Sequence, residues 1–262
     1  MTIQLGVDIG GTGIKAAPVD LERGALVGDR QYVATPHPAT PAAVAITVAE
    51  LVHGVGTDGP VGLGFPGVVK HGVTATAANL HPEWIGTNAE KLFSHHLGGR
   101  PVAVINDADA AGLAEMGFGA GASQPGVAVM VTLGTGIGTA VFVDGTLVPN
   151  TEYGHLFVGG TQAEELASTR AKEHANQSWK QWSTHLLGFL KELERLIWPD
   201  LFIIGGGISV EFRRFCERLQ TSAPVVAATL GNDAGIVGAA IAVRETAVWR
   251  PSDRIDEEVN HP

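Results

Sequence analysis

The sequence predicts an α/β protein made of two similar lobes that face each other across a cleft. Three observations carry this. An apolar strand, a glycine-rich turn and a return strand occupy Ile3–Val19, and the same succession recurs over Val127–Val143. After each hairpin, apolar strand-length runs alternate with stretches of helical period. Hydrophobic residues make up 45% of the 262 residues and charged residues 17%. That is enough apolar material for a sizeable core, and the chain is not of disordered composition.

The elements follow in order. Ile3–Asp8 reads as a strand ending in an acid, Ile9–Gly13 as a turn, and Ile14–Val19 as its return strand. So short a turn makes a hairpin, whereas a parallel nucleotide-binding unit needs a helix there. Leu26–Val33 reads as a third strand. Thr40 caps a helix over Ala42–His53. Val61–Phe65 is a buried strand, Lys70–Trp84 irregular, Asn88–Leu97 a short helix and Pro101–Ile105 a strand. Asn106-Asp107 opens a helix to about Phe118. In the second half, Val127–Thr132 and Ile137–Val143 flank the turn Leu133–Gly138, and Asp144-Gly145 is a hairpin turn. A polar loop covers Thr151–Gly160. Helices are expected over Gln162–His174, Ser178–Trp198 and Asn232–Arg244 and from the Gly205–Gly207 turn to Leu219, with strands at Leu201–Ile204 and Val225–Ala227. The chain from Glu245 is polar and expected to fray. The lobes are expected at 1–106 with 233–250, and at 107–232, with a polar tail at 251–262.

A net charge of -10 argues against nucleic-acid or membrane-surface partners, which reward broad basic patches. A small phosphate ligand remains compatible, because backbone N–H groups can hold it. The lone Cys216 excludes an intrachain disulfide framework and a multi-cysteine zinc site. It reads as a small, partly buried residue on a helix. No signal peptide precedes the first strand and no apolar run reaches about 18 residues, so a cytoplasmic location is expected.

Two turns suggest phosphate binding. In Asp8-Ile9-Gly10-Gly11-Thr12-Gly13-Ile14-Lys15, glycines let N–H groups crowd an anion and the Thr12 hydroxyl adds a donor. Asp8 can hold Mg²⁺ directly or through water, and Lys15 can neutralise phosphate charge. Thr132-Leu133-Gly134-Thr135-Gly136-Ile137-Gly138 has the same physics. Either turn alone could be an ordinary glycine hairpin. Two of them in two lobes are better explained by one phosphate chain held between them. Gly205-Gly206-Gly207 after a strand permits close approach of a ring or an extended chain, or is a tight strand-to-helix turn.

Asn106-Asp107 is a favoured helix start on its own. Beside a phosphate cleft, a carboxylate there can accept the proton of an attacking hydroxyl. Asp109, one turn further on, reads as a capping or surface acid. Glu152 and His155, three apart in a loop, can hydrogen-bond hydroxyls, with Glu164 beyond. Trp179 and Trp182, three apart on a helix, read as packing residues.

Taken in order, the Asp8–Lys15 turn, Asn79-Leu80 with Trp84, Asn106-Asp107 with Ala108–Glu115, Thr132–Gly138, Glu152 with Gly154-His155, and Gly205–Ser209 resemble the ROK-family sugar kinases over nearly the whole chain. The resemblance implies a two-lobed, actin-like (ribonuclease H-like) fold with the active site in the interlobe cleft. It implies Asp107 as the base for a sugar 6-hydroxyl. Asn79, Asn106, Glu152, His155 and Glu164 become the hydroxyl-binding set, with Gly67 shaping the pocket and Glu165 as the alternative to Glu164. Many members carry a cysteine-rich zinc motif here. Val158–Glu165 has no cysteine, so no structural zinc is expected. Asn150–Leu156, Ser178–Trp182, Ile197–Ser209 and Ala234–Ala240 are similar to the actinobacterial members that use polyphosphate.

That resemblance implies glucose as acceptor, inorganic polyphosphate as donor with ATP as a further donor in some members, Mg²⁺, and a homodimer. A polyanion needs local basic patches on this acidic chain. The candidates are Lys15, Lys70, Lys91, Arg100, Lys172, Lys180, Arg213, Arg214 and Arg218. Rival readings are an ATP-dependent hexose kinase acting on mannose or glucosamine, and a sugar-sensing repressor. A repressor needs a DNA-binding segment before the first phosphate turn, and only seven residues precede Asp8.

Overall fold

Alternation along the strands sets the layers. The computed structural model describes residues 2–77 and 80–248, so Asn79, the expected tail at 251–262 and the last two residues of 233–250 lie outside the described residues. The first lobe contains β1 (Ile3–Ile9), β2 (Gly13–Asp20), β3 (Ala25–Leu26), β4 (Gln31–Ala34), α1 (Pro41–Val55), β5 (Val61–Phe65), the ribbon β6 (Val69–Lys70) and β7 (Val73–Thr74), α2 (Ala89–His96) and β8 (Val102–Asn106). Its sheet runs β3-β2-β1-β5-β8, with β4 also on β2. β1 and β2 are antiparallel with Asp8 opposite Lys15, whereas β5 and β8 join in parallel.

On one face of this sheet Leu5, Val7, Ile9, Leu63 and Phe65 pack with α1 and α2 around the buried Trp84 and Phe93. Thr40 caps α1 by accepting from Ala43 N–H, and Asn88 caps α2 the same way from Lys91 N–H.

The second lobe follows α3 (Asp107–Phe118). It comprises β9 (Val127–Leu133), β10 (Ile137–Val143), β11 (Thr146–Val148), the hairpin β12 (Phe157–Val158) and β13 (Thr161–Gln162), α4 (Ala163–Ala167), α5 (Thr169–His174), α6 (Trp179–Ile197), β14 (Leu201–Gly205) and β15 (Val225–Ala227). The chain closes with α7 (Ala234–Val248). This sheet runs β11-β10-β9-β14-β15. Strand for strand, it repeats the β3-β2-β1-β5-β8 order of the first. Residues alternate between two cores: Val129, Val131, Phe202 and Ile204 face α6, and Ala128, Met130 and Ile203 face the molecule's centre. α6 begins with a full capping box between Ser178 and Gln181.

α3 and α7 form the middle layer. α7 lies on the first sheet so closely that a Cβ at Gly6 or Gly62 would overlap the Ile236 or Ala239 carbonyl, and one at Gly238 would overlap that of Ala110 on α3. α3 in turn packs on Ala140 and Phe142 of β10. The expected lobe boundary at 106/107 falls at the junction of β8 with α3.

Four expectations need correction. Leu26–Val33 is two short strands, because the chain turns through Gly28 (φ 86°). The helix expected over Gln162–His174 breaks at Ser168, whose side chain caps α5 by accepting from Ala171 N–H. The segment after Gly206 is 3-10 helix over Gly207–Arg214 and Cys216–Arg218, not an α-helix. The break is Phe215 (φ -135°), whose ring enters the core against Trp179 and Trp182. Cys216 therefore lies on a 3-10 turn, half-buried. The fourth is Asp109, which is neither surface nor cap: it is wholly buried. Trp179 and Trp182 pack as expected, and the Trp182 indole donates to the Ala167 carbonyl at 3.0 Å.

Candidate active site

The catalytic candidate owes its position to a strand end that becomes a helix start. β8 delivers Asn106, whose side-chain oxygen accepts from Ala108 N–H at 2.8 Å and Asp109 N–H at 3.1 Å. This cap fixes the first turn of α3 and leaves Asp107 as its first residue. Three features converge there. Gly64 of β5 faces the Asp107 Cα. The end of the second glycine turn comes alongside, since a Cβ on Gly138 would lie 2.8 Å from that of Ala108. Asp8, at the end of β1, is near enough to repel the Asp107 carboxylate.

Burial, then Asp8, Glu152 and Asp109, push the Asp107 carboxyl up to about 7, against the hydrogen bond it accepts from Ala108 N–H. A carboxylate with so high a pKa is a stronger base than an ordinary Asp.

The first glycine turn closes with Gly10 N–H donating to the Gly13 carbonyl at 2.9 Å. Thr35, after β4, buttresses it. Its hydroxyl donates to the Gly10 carbonyl at 2.6 Å and its N–H to that of Thr12 at 3.2 Å. Nothing in the sequence singled out Thr35, because its role needs β4 paired beside β2. Lys15 meets Asp8 at 3.2 Å, so cation and anion sit together at the mouth of the turn that also carries Gly11 and Thr12.

In the second turn, Gly134 N–H donates to the Gly136 carbonyl at 3.1 Å. A Cβ on Gly136 would stand 2.5 Å from Glu164 Oε2, so this turn touches the hydroxyl-binding candidates directly. Thr132 flanks the same turn, its hydroxyl against Gly138. Gly205, Gly206 and Gly207 follow β14, with Gly206 pressed on the backbone of Leu133. Thr135 makes no side-chain hydrogen bond recorded among the described residues.

The hydroxyl-binding candidates form one chain of contacts. The Asn106 amide donates to the Gly67 carbonyl at 3.2 Å and to Glu152 Oε1 at 3.4 Å. Glu152 Oε2 lies 3.6 Å from His155 Nε2, and His155 Nδ1 lies 3.5 Å from Glu164 Oε1. Gln162 also meets His155 Nδ1 at 3.3 Å. Glu152 is raised by burial and by Glu164, against His155. Glu164, in the first turn of α4, makes this contact with His155. Asn79 lies outside the described residues.

Asp109 is the residue the sequence reading misplaced. One oxygen accepts from Asn150 N–H at 2.7 Å, and the other is buried without a hydrogen-bond partner. Asn150 (φ 60°) in turn pairs both ways with the Val69 backbone at 2.9 Å. The carboxylate therefore ties the start of α3 to the loop that carries Glu152 and His155, and through Asn150 to the ribbon beyond Gly67. Burial pushes its carboxyl up to about 7, with Glu152 adding to the rise and the Asn150 hydrogen bond opposing it.

Among the described residues no group of three or more His, Cys, Asp or Glu is placed to hold a metal, and no helix is long and apolar enough to cross a membrane. Asp8 stands beside the first glycine turn, paired with Lys15 and near Asp107, with Gly235 at the start of α7 facing it. One carboxylate, with water and phosphate oxygens completing the shell, is a usual Mg²⁺ arrangement. The residues present fit that ion.

Two lobes of repeated topology, with facing glycine turns and a carboxylate between them, define the class of actin-like sugar kinases. A family model described as the ROK family matches residues 4–166. The chain belongs to the ROK family. It is 54% identical over 237 residues to a polyphosphate glucokinase of Mycobacterium tuberculosis, covering 90% of this chain and 89% of that one. Its fold matches an inorganic polyphosphate/ATP-glucomannokinase of Arthrobacter sp. strain KM with a TM-score of 0.90 and 47% identity, over 94% of this chain and 100% of the other. A ROK family glucokinase of Streptomyces griseus, solved with glucose and AMPPNP, gives a TM-score of 0.79 at 28% identity, over 93% of this chain and 100% of the other.

Proposed function

We propose that this chain is a polyphosphate-dependent glucokinase that transfers the terminal phosphoryl group of inorganic polyphosphate to the 6-hydroxyl of glucose. The observation that carries the reading is Asp107. It is a carboxylate of raised pKa between the two glycine turns and beside the Asn106–Glu152–His155–Glu164 chain of hydroxyl partners.

In this reading Glu152, His155, Glu164 and Asn106 bind the sugar hydroxyls, with Gly67 shaping the pocket. The 6-hydroxyl donates to Asp107. As its oxygen bonds to the terminal phosphorus, its proton passes to the Asp107 carboxylate. The bridging P–O bond breaks, and the chain leaves one phosphate shorter. The N–H groups of Gly10–Gly13 and Gly134–Gly138 and the Thr12, Thr132 and Thr135 hydroxyls hold the donor's end, with Lys15 adding charge. Mg²⁺ at Asp8 would neutralise phosphate oxygens. Phosphoryl transfer rests on positioning and charge stabilisation more than on covalent chemistry.

The donor assignment is supported by the 54% identity to a polyphosphate glucokinase. The glucomannokinase neighbour supports ATP as a second donor and mannose as a second acceptor. We place the protein in the cytoplasm as a homodimer. The test is a coupled assay of glucose 6-phosphate formation with Mg²⁺, comparing nucleotide-free polyphosphate with ATP at matched phosphoanhydride concentration. Turnover with polyphosphate supports the reading. Turnover with ATP alone removes the donor assignment and leaves the sugar site and Asp107 in place.

A further inference from the structure

Two elements leave the second phosphate turn and meet again at one indole ring. The first is α5. Its opening residue Thr169 donates its hydroxyl to the Leu133 carbonyl at 3.2 Å, and Arg170 N–H donates to that of Gly134 at 3.2 Å. The second is the 3-10 helix Gly207–Arg214, whose preceding Gly206 presses on Leu133. α5 carries Lys172 Nζ to 4.3 Å from the centre of the Trp179 ring, and the 3-10 helix carries the Arg214 guanidinium to 5.4 Å from it. Phe215 stacks on the same indole at 5.7 Å and fixes its plane.

The charge of this sector opposes that of the chain. Residues 169–180 and 206–218 hold Arg170, Lys172, Lys180, Arg213, Arg214 and Arg218 against only Glu173, Glu211 and Glu217, whereas the whole protein carries -10. Arg214 is paired with Glu211 at 3.2 Å. Arg170, Lys172, Lys180 and Arg213 have no ion pair among the described residues. Helical rise makes the 3-10 helix about 14 Å long, so the cations start beside the phosphate turn and end well beyond a terminal phosphate pair.

We propose that this sector is the track for the distal phosphates of a linear polyanion, running from the Thr132–Gly138 turn between α5 and the 3-10 helix past Lys172 and Arg213. The proposal rests on the polyphosphate reading above. The track binds internal phosphates by charge, without geometric selection of one register, so the chain can slip inward as its end is consumed. It favours long chains. A donor of two or three phosphates, seated in the glycine turns, engages fewer of these cations than a long chain does.

The test compares KM for a long polyphosphate chain with KM for tripolyphosphate, in wild type and in the double variant Lys172→Met/Arg213→Gln. Met keeps the apolar stem over Trp179, and thermal unfolding checks that the fold is retained. Tryptophan emission, titrated with long-chain polyphosphate, gives affinity independently of turnover. The expected result is a roughly tenfold rise in KM and Kd for the long chain with less than a twofold change for tripolyphosphate, since each exposed charge contributes modestly. The wild-type advantage of long over short chains shrinks as salt rises. Equal shifts for both donors, or none for the long chain, refute the track while leaving the polyphosphate reading intact. Wild-type protein that neither turns over nor binds polyphosphate overturns both.

Discussion

Replacing Asp109 by Asn changes the pH dependence of stability and of catalysis in directions that the structure dictates. The wild-type carboxyl is wholly buried, one oxygen accepts from Asn150 N–H at 2.7 Å, and the other has no partner. Its pKa rises from an ordinary 3.8 to about 7, chiefly through burial. The folded state therefore holds a proton that the unfolded state has released. Stability from this group is greatest at low pH and falls as pH rises through that interval, levelling above the folded value. The full interval corresponds to roughly 4 kcal/mol, and the part between pH 5 and pH 8 to about 3 kcal/mol. The amide of the Asp109→Asn variant cannot titrate, and its oxygen can still accept from Asn150. Its NH₂ takes the place of the unpartnered oxygen, at a pH-independent cost of about 1–3 kcal/mol.

The assay is urea unfolding of both proteins at half-unit steps from pH 5 to pH 8. The variant should be the less stable at pH 5 and should gain on wild type by about 3 kcal/mol by pH 8. Parallel stability curves refute the reasoning, because they mean Asp109 is ionised throughout. The same substitution removes a negative neighbour of Asp107, so the acidic limb of kcat/KM against pH should move to lower pH.

Asp107→Asn should lower kcat by about 10²–10⁴-fold while the glucose Kd, read by calorimetry, stays within a few-fold; near-normal turnover removes Asp107 as the base. In wild type, kcat/KM for glucose should fall as pH drops below about 7, because protonated Asp107 cannot accept the hydroxyl proton; a limb near 4 in the pH–rate profile contradicts the raised pKa. Glu152→Gln should raise KM for glucose roughly tenfold or more with a smaller change in kcat, since it alters contacts to Asn106 and His155; equal loss in both parameters in steady-state kinetics assigns Glu152 to the transition state instead. Gly238→Ala should destabilise by more than the usual 1–3 kcal/mol of overpacking, because its methyl meets the Ala110 carbonyl and not a movable side chain; an unchanged midpoint in thermal unfolding means that α3 and α7 can part without loss.

The hairpins, the glycine turns and the caps at Thr40 and Asn106 were legible because each is set by local chemistry: glycines, alternation and a polar side chain over its own helix start. The Asn106–Glu152–His155–Glu164 contacts were legible only as a set of residues, and their linkage through His155 needed coordinates. Asp109 was misread because its spacing from Asn106 fits a first-turn acid. It is buried, and its hydrogen-bond partner is Asn150, 41 residues away. Phe215 likewise ended an expected helix for a distant reason, the Trp179–Trp182 pair. Thr35 left no local trace at all. What the sequence hid was whatever depended on partners brought together by the sheets.

The matching strand orders of the two sheets make α3 and α7 equivalent helices, each leaving the last strand of its unit and crossing the other at Ala110 and Gly238. The molecule is thus a pseudo-two-fold pair, and its two helix starts are corresponding half-sites. One presents Asp107, the other Ala234 and Gly235, where even a methyl would stand 3.0 Å from Asp8 Cγ. A true dimer of one unit would be bound to offer two carboxylates or two openings. Joining the units in one polypeptide frees each half-site to differ, so that a buried carboxylate stands at one helix start and a glycine against Asp8 at the other.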